Sequence, residues 1–171
     1  ALSFGADSQS PMRARLKAAF DRFVDARRKS ETEAARLIGE LEIDIAVDLM
    51  GFTRDFRSGL LAARPAPVQV NYLGYPGTMG ADFIDYIVAD RFTIPERHQA
   101  AYAEKVVYMP DCFQVNDAKR PPVARAPGRT EAGLPETGIV FCAFSNSYKI
   151  TPRLFDVWMR LLSKIRGSVL W

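Results

Sequence analysis

The sequence is poor in the residues that enzymes use most often as nucleophiles, bases and metal ligands. It contains one histidine, His98, and two cysteines, Cys112 and Cys142. His98 lies in a polar segment, which favours a surface position over a catalytic one. The cysteines lack the short spacing of a metal site, and we expect them to be small core residues of a reduced, cytoplasmic protein. Without a G-x-S-x-G pattern, no nucleophile–base pair can be assembled.

Further absences exclude other classes of protein. No apolar run approaches the roughly 20 residues that span a bilayer, so no membrane association is expected. The first residues lack the charged and apolar regions of a signal peptide. The formal charge is +3, but no Lys/Arg run is interleaved with aromatic residues, so no nucleic-acid partner is expected. The absence of a Walker motif and of a complete G-x-G-x-x-G argues against P-loop ATPases and dehydrogenases.

What is present is an alternation of short strands and helices, which is typical of βαβ units and a parallel sheet. The clearest strand is residues 43–49, which is rich in β-branched side chains. The helix before it begins with a capping box formed by Ser30 and Glu33. The sequence therefore predicts an α/β fold. Further strands are predicted at 2–5, 23–25, 68–72, 86–89 and 105–109, and further helices at 11–20, 56–63 and 96–103.

The composition changes between residues 116 and 136, where proline and glycine crowd a segment with few large apolar residues. Such a segment has little prospect of regular structure, so we predict a linker there between domains 1–115 and 137–171. In the second domain, the unbroken apolar run 138–144 predicts a strand buried on both faces. Thr151 and Pro152 predict the start of an amphipathic helix, after which another strand begins.

The stretch 68–80 contains the first candidate site. Apolar and polar residues alternate from Val68 to Tyr72, which predicts a strand with one face more buried than the other. The next eight residues include three glycines and one proline, a composition that suits a tight loop where the backbone comes close to a bulky group. Ligands of α/β proteins bind beyond the carboxyl ends of strands. A plain turn between two core strands is the alternative.

The second candidate site surrounds Lys149. Free backbone N–H groups at the start of the helix that Thr151 caps would favour an anion, and Lys149 adds a full positive charge there. Asn146 supplies an amide that could contact a base or a ribose. This arrangement suits a diphosphate leaving group. The alternative is a solvated lysine in an ordinary loop. Several aspartates end strands or cap helices, and neither a catalytic carboxylate pair nor a metal site is favoured.

Two segments resemble the O-linked N-acetylglucosamine (O-GlcNAc) transferase family, which includes SPINDLY-type proteins and bacterial homologues. The first is LLAARPAPVQVNYLGYPGTMG at residues 60–80, followed by FIDYI at 83–87. The second is FSNSYKI at 144–150, followed by SVLW at 168–171. The resemblance runs from residue 43 to the last residue and more loosely before that. It favours both candidate sites over their alternatives.

The resemblance implies two Rossmann-like lobes facing a cleft, the GT-B arrangement. Residues 1–115 would be most of the first lobe, and 137–171 the first βα unit of the second. It also implies transfer of N-acetylglucosamine from UDP-GlcNAc to Ser or Thr hydroxyls of an acceptor protein, with inversion and without a metal or other cofactor. A GDP-fucose donor, as SPINDLY-type members use, is one alternative. A non-catalytic domain that binds a nucleotide or a protein is another.

By this resemblance, Lys149 would stabilise the diphosphate leaving group and Asn146 would contact the nucleotide. Asn146 stands where animal members have glutamine, and its side chain reaches one methylene less far. The family's His-Pro motif, His-Thr-Thr segment and tetratricopeptide repeats are absent, so we expect an inactive fragment of the catalytic region whose exposed apolar surface favours homo-oligomers. The residues expected to line the donor-sugar pocket are Leu73, Gly74, Tyr75 and Pro76.

Overall fold

The structure is a computed structural model that describes residues 1–120 and 122–171. Pro121, which belongs to the predicted linker, lies outside the described residues. The chain divides into two compact units, Ala1–Asp117 and Ala118–Trp171, which we call the first and second units. Within the described residues, no helix has both the length and the apolar character needed to cross a membrane.

The first unit alternates strands and helices. Its elements are β1 (Leu2–Ser3), α1 (Pro11–Ala19), β2 (Val24–Asp25), α2 (Glu31–Glu40), β3 (Ile45–Asp48), a 3₁₀ helix (Ser58–Ala63), β4 (Val68–Tyr72), β5 (Tyr86–Ala89), a 3₁₀ helix (Glu96–Ala101) and β6 (Lys105–Tyr108). Four of the strands form one sheet in the order β3-β4-β5-β6, and every neighbouring pair is parallel. β1 and β2 form a separate parallel pair. The predicted parallel α/β architecture is confirmed.

Helix α2 packs against the first 3₁₀ helix in a core shared with the sheet. The predicted capping box is present, since Ser30 Oγ accepts from the Glu33 N–H and the Glu33 carboxylate accepts from the Ser30 N–H. The apolar side of α2 then buries Ala34 and Ile38 in the main core of the unit. That core also contains Ala46 of β3 and residues of the first 3₁₀ helix. The capping box therefore fixes the start of the helix whose next two turns build the core.

Strand β4 buries its polar side chains more completely than its apolar ones. The predicted alternation is present, but the polar side chains Gln69 and Asn71 are 0% exposed, whereas Val68, Val70 and Tyr72 are half-buried. The reason lies in the connection to β5, residues 73–85, which contains no helix. Its buried carbonyl groups have no helical partners and need side-chain donors. Gln69 Nε2, for example, donates to the carbonyl oxygen of Phe83 at 2.6 Å.

The second unit pairs β7 (Val140–Phe141) in parallel with β8 (Val169–Leu170). Between them lie a 3₁₀ helix (Ser147–Lys149) and α3 (Pro152–Lys164). The prediction of a long, doubly buried strand at 138–144 is wrong, because Ile139 and Phe144 at its ends are 51% and 76% exposed. Among the described residues, β7 has only β8 as a strand neighbour, so most of the run remains uncovered.

The expected core positions of the two cysteines are also wrong. Cys112 and Cys142 are both exposed free thiols. Cys112 lies in the loop that follows β6, and Cys142 directly follows the two-residue strand β7, so neither belongs to a packed element. The predicted surface position of His98 is confirmed, since it is exposed in the second 3₁₀ helix.

Candidate functional site

The chain leaves β4 through an unusual turn at Leu73. The φ angle of Leu73 is +76°, in the left-handed region, and the N–H of Gly74 donates to the carbonyl oxygen of Tyr72 at 3.0 Å. A hydrogen bond that spans a single left-handed residue defines a strained form of γ-turn. Such a conformation costs a non-glycine residue about 1–3 kcal/mol and is concentrated at functional sites. The sequence gives no sign of it, because the neighbouring glycines are the natural candidates for this conformation.

Gly74 lies directly against the chain that leaves β3. A Cβ atom at this position would be 2.3 Å from the carbonyl oxygen of Leu49 and 3.1 Å from Cα of Met50. Both contacts are to backbone atoms, which no side-chain rotation can relieve. The bulky group that the glycine-rich sequence indicated is therefore the neighbouring loop, and only glycine fits at position 74.

An aromatic group lies where these two loops meet. The rings of Phe52 and Tyr75 are edge-on at 5.5 Å, and those of Phe52 and Phe56 are edge-on at 5.4 Å. Phe52 and Phe56 remain 48% and 47% exposed. Exposed aromatic side chains next to a few fixed polar groups are typical of small-molecule sites. Phe52 and Phe56 were not among the predicted site residues, because their neighbour Tyr75 is distant in sequence.

Three side chains outside the loop 73–85 form hydrogen bonds to its backbone or to the hydroxyl group of Thr78. Asn71, Tyr102 and Glu104 make hydrogen bonds to residues between 75 and 79. These residues were missed by sequence reasoning. The one available signal was Asn71, a polar residue at an alternating position inside a strand.

The aspartates near the strand ends hold loops. One oxygen of Asp48 accepts from the N–H groups of Met50 and Gly51 at 2.9 and 3.2 Å. Asp90 is 4% exposed, and hydrogen bonds from the N–H groups of Phe113 and Thr93 hold the pKa of its carboxyl below the usual range. Carboxylates engaged in this way are structural. Across the described part of the chain, no cluster of three His, Cys, Asp or Glu residues could hold a metal ion.

In the second unit, Lys149 ends the 3₁₀ helix between β7 and α3, and its side chain is exposed. Its N–H donates to the carbonyl oxygen of Asn146 at 3.0 Å, so one turn holds both predicted site residues. Thr151 caps α3 as predicted and accepts from the Leu154 N–H at 3.3 Å. Pro152 has no N–H and the Leu154 N–H is bonded to Thr151, so the N–H of Arg153 is the one left for an anion in the first turn. The predicted anion site therefore offers fewer free N–H groups than expected, and it would depend more on the charge of Lys149.

The model of the family "Glycosyl transferase family 41" matches residues 1–123 and 120–171. Among curated proteins, the probable UDP-N-acetylglucosamine–peptide N-acetylglucosaminyltransferase SEC of Arabidopsis thaliana is 35% identical over 175 residues, which is 99% of this chain and 18% of that protein. The similarly named SPINDLY of the same plant is 36% identical over 140 residues, 81% of this chain and 15% of the relative.

Among solved structures, an O-GlcNAc transferase mutant of Thermobaculum terrenum matches with a TM-score of 0.84 and 29% sequence identity. The match covers 99% of this chain and 31% of the solved chain. The chain thus spans less than a third of the solved protein and less than a fifth of both plant relatives.

Proposed function

This chain belongs to glycosyltransferase family 41, and we propose that the whole protein transfers N-acetylglucosamine from UDP-GlcNAc to serine or threonine hydroxyls of proteins. The observation that carries the proposal is the match of nearly the whole chain to a solved O-GlcNAc transferase. The names of the plant relatives support the same donor and a peptide acceptor. We further propose that residues 1–115 and 137–171 belong to the first and second lobes of a GT-B enzyme, and that the protein acts in the cytoplasm.

The proposed reaction is a single displacement with inversion. The acceptor hydroxyl oxygen forms a bond to the anomeric carbon of the sugar, and the bond from that carbon to the diphosphate oxygen breaks. UDP leaves with the bonding electron pair, and the hydroxyl proton passes to a general base. Negative charge therefore develops on the diphosphate in the transition state, and a fixed positive group beside it lowers the barrier.

Leu73, Gly74, Tyr75 and Pro76 would line the donor-sugar pocket in the first unit. Their position supports this role, because they directly follow the carboxyl end of β4, the edge of a parallel sheet at which ligands bind. The tight approach of Gly74 to the loop after β3 supports it further, because a loop held in one shape binds without an ordering cost.

Lys149 would stabilise the diphosphate leaving group in the second unit, and Asn146 would contact the nucleotide. An exposed lysine one turn before a helix N-terminus supports this assignment, because both features favour an anion. The backbone hydrogen bond between Asn146 and Lys149 places both residues in one turn, which supports a role for Asn146 in binding the same ligand.

The test is transfer of radiolabelled N-acetylglucosamine by the whole protein to an acceptor protein. Lys149→Ala should lower the transfer rate about a hundredfold or more, as expected for loss of a group that stabilises developing charge. Binding of UDP, UDP-GlcNAc and GDP-fucose, measured side by side by calorimetry, identifies the donor. Transfer of fucose in place of N-acetylglucosamine, or unchanged transfer by Lys149→Ala, would contradict the proposal.

A further inference from the structure

The connection between β4 and β5, residues 73–85, is an unusual crossover. Parallel strands are most often joined through a helix, which satisfies its own backbone groups. This connection has no helix, so its N–H and C=O groups depend on partners elsewhere. Asn71, Tyr102 and Glu104 provide such partners, each at a different point.

Asn71 holds the first part of the connection. Its side chain is fully buried on β4, and Nδ2 donates to the carbonyl oxygens of Tyr75 at 3.0 Å and of Gly77 at 3.3 Å. Both amide protons are therefore used on the segment that follows the strained turn at Leu73. No apolar residue of similar size could make either bond.

Tyr102 holds the middle of the connection through a single atom. Its hydroxyl donates to the carbonyl oxygen of Pro76 at 3.0 Å. Burial raises the pKa of Tyr102, and the nearby carboxylate of Glu104 raises it further, so the phenol stays protonated as a donor. Pro76 is one of the four residues proposed to line the donor-sugar pocket, as is Tyr75, which Asn71 contacts.

Glu104 anchors the far end. It is 4% exposed, and its two oxygens accept from the N–H of Met79 at 2.6 Å and from the hydroxyl of Thr78 at 2.7 Å. The same Thr78 oxygen accepts from the N–H of Ala103 at 3.2 Å. All three consecutive residues 102–104 are thereby bonded to the connection. Tyr102 contacts Pro76, Ala103 contacts Thr78, and Glu104 contacts both Thr78 and Met79.

We propose that Asn71 and Tyr102 are positioning residues for the donor sugar, and that Glu104 anchors the far end of the loop they hold. They act through the backbone of residues 75–77, which they fix in the shape that lines the sugar pocket. The inference rests on the proposed function, since it assumes that Leu73–Pro76 meets the sugar. It goes further by assigning specificity for the sugar to residues outside the pocket.

The deciding experiment compares Tyr102→Phe with wild type in the whole protein. Calorimetry measures dissociation constants for UDP-GlcNAc and for UDP, which lacks the sugar. Loss of one neutral hydrogen bond should weaken UDP-GlcNAc binding about fivefold and UDP binding less than about twofold. Asn71→Leu, which loses two donors, should weaken UDP-GlcNAc binding more than about tenfold. If these residues had a merely structural role, the substitutions would weaken the binding of UDP and of UDP-GlcNAc equally.

Tyr108→Phe is the matched control. Its hydroxyl also donates to a backbone carbonyl, that of Ile94 at 2.8 Å, and accepts from Gln99 Nε2 at 2.9 Å, and neither hydrogen bond involves the connection. It should leave the ratio of the two dissociation constants unchanged. Amide hydrogen exchange supplies a readout that needs no donor: exchange at residues 75–80 should rise in Tyr102→Phe and not in Tyr108→Phe.

The outcomes separate the two proposals. Wild-type protein that does not bind UDP-GlcNAc would overturn the proposed function, whatever the exchange data show. Wild-type binding with equal weakening of UDP and UDP-GlcNAc in Tyr102→Phe would overturn the positioning role and leave the proposed function standing. Unchanged exchange at residues 75–80 in both Tyr102→Phe and Asn71→Leu would also overturn it.

Discussion

Replacement of Gly74 by alanine should destabilise the first unit, because the structure has no room for the added methyl group. The new Cβ would be 2.3 Å from the carbonyl oxygen of Leu49, where ordinary contact begins at 3.4 Å. The loop after β4 would have to move by about 1 Å from the loop after β3. Overpacking of this kind costs about 1–3 kcal/mol, and the upper value applies because both partners are backbone.

Thermal unfolding of the 171-residue chain, followed by circular dichroism, measures this effect. A loss of about 3 kcal/mol in a unit of this size should lower the melting temperature by about 10 °C. Gly39→Ala is the control, because its Cβ would have no neighbour within 4 Å in α2. It should instead raise stability by about 0.5–1 kcal/mol through helix propensity.

The opposite signs of these two substitutions make the reasoning refutable. If Gly74→Ala melted within about 2 °C of wild type while Gly39→Ala behaved as expected, the two loops could separate at little cost. The close approach at Gly74 would then place no constraint on the loop that follows β4, and the argument for a preformed sugar pocket would fail with it.

Three further substitutions probe other parts of the two units. Leu73→Gly should raise the free energy of unfolding by about 1 kcal/mol, because glycine adopts a φ of +76° without strain. It should also weaken UDP-GlcNAc binding. A lower free energy of unfolding would show that Leu73 is not strained. The Arg64 guanidinium, and after it the Gln69 N–H, lower the pKa of Asp85 in the folded protein. The ionised Asp85 therefore stabilises the fold above the ordinary aspartate pKa of about 3.9, and this stabilisation is lost as the pH falls through the pKa of the folded state. Asp85→Asn should flatten the pH dependence of the melting temperature between about pH 5 and pH 2. An unchanged pH dependence in this range would refute the linkage. Thr151→Ala removes the cap of α3 and should cost about 1 kcal/mol, seen as lost helical ellipticity; Ser145→Ala serves as a nearby control.

Local features of the fold could be predicted from the sequence. The capping box at Ser30 and the cap at Thr151 depend on residues within four positions of each other, and both are confirmed. The strands of the main sheet were recognisable from their β-branched runs. The burial of Gln69 and Asn71 was not, because it depends on how a distant connection satisfies its carbonyl groups. Burial is a tertiary property, and alternation shows only that two faces differ.

The same distinction explains which parts of the candidate site remained hidden. The loop after β4 could be located from its density of glycine and proline, and Lys149 from its place before a helix. The choice of Leu73 to Pro76 within that loop came from the family resemblance. The left-handed turn at Leu73 could not be predicted, since Gly74 directly after it is the more natural residue for that conformation. Tyr102 and Glu104 are 25 or 26 residues from the residues they contact in the loop, and only the parallel order of the strands brings them together.

Strain at Leu73 and the buried polar residues beneath the loop have a common physical origin. A left-handed leucine costs about 1–3 kcal/mol and persists only if its surroundings exclude the relaxed alternatives. Each hydrogen bond from Asn71 and Tyr102 contributes about 1 kcal/mol, so three such bonds are of the size needed to hold the turn. A helical crossover would have satisfied its own backbone and left β4 free to carry apolar residues on its buried face. Polar residues are buried there because the chain keeps an irregular loop, in one fixed shape, at the edge of the sheet where a ligand can reach it.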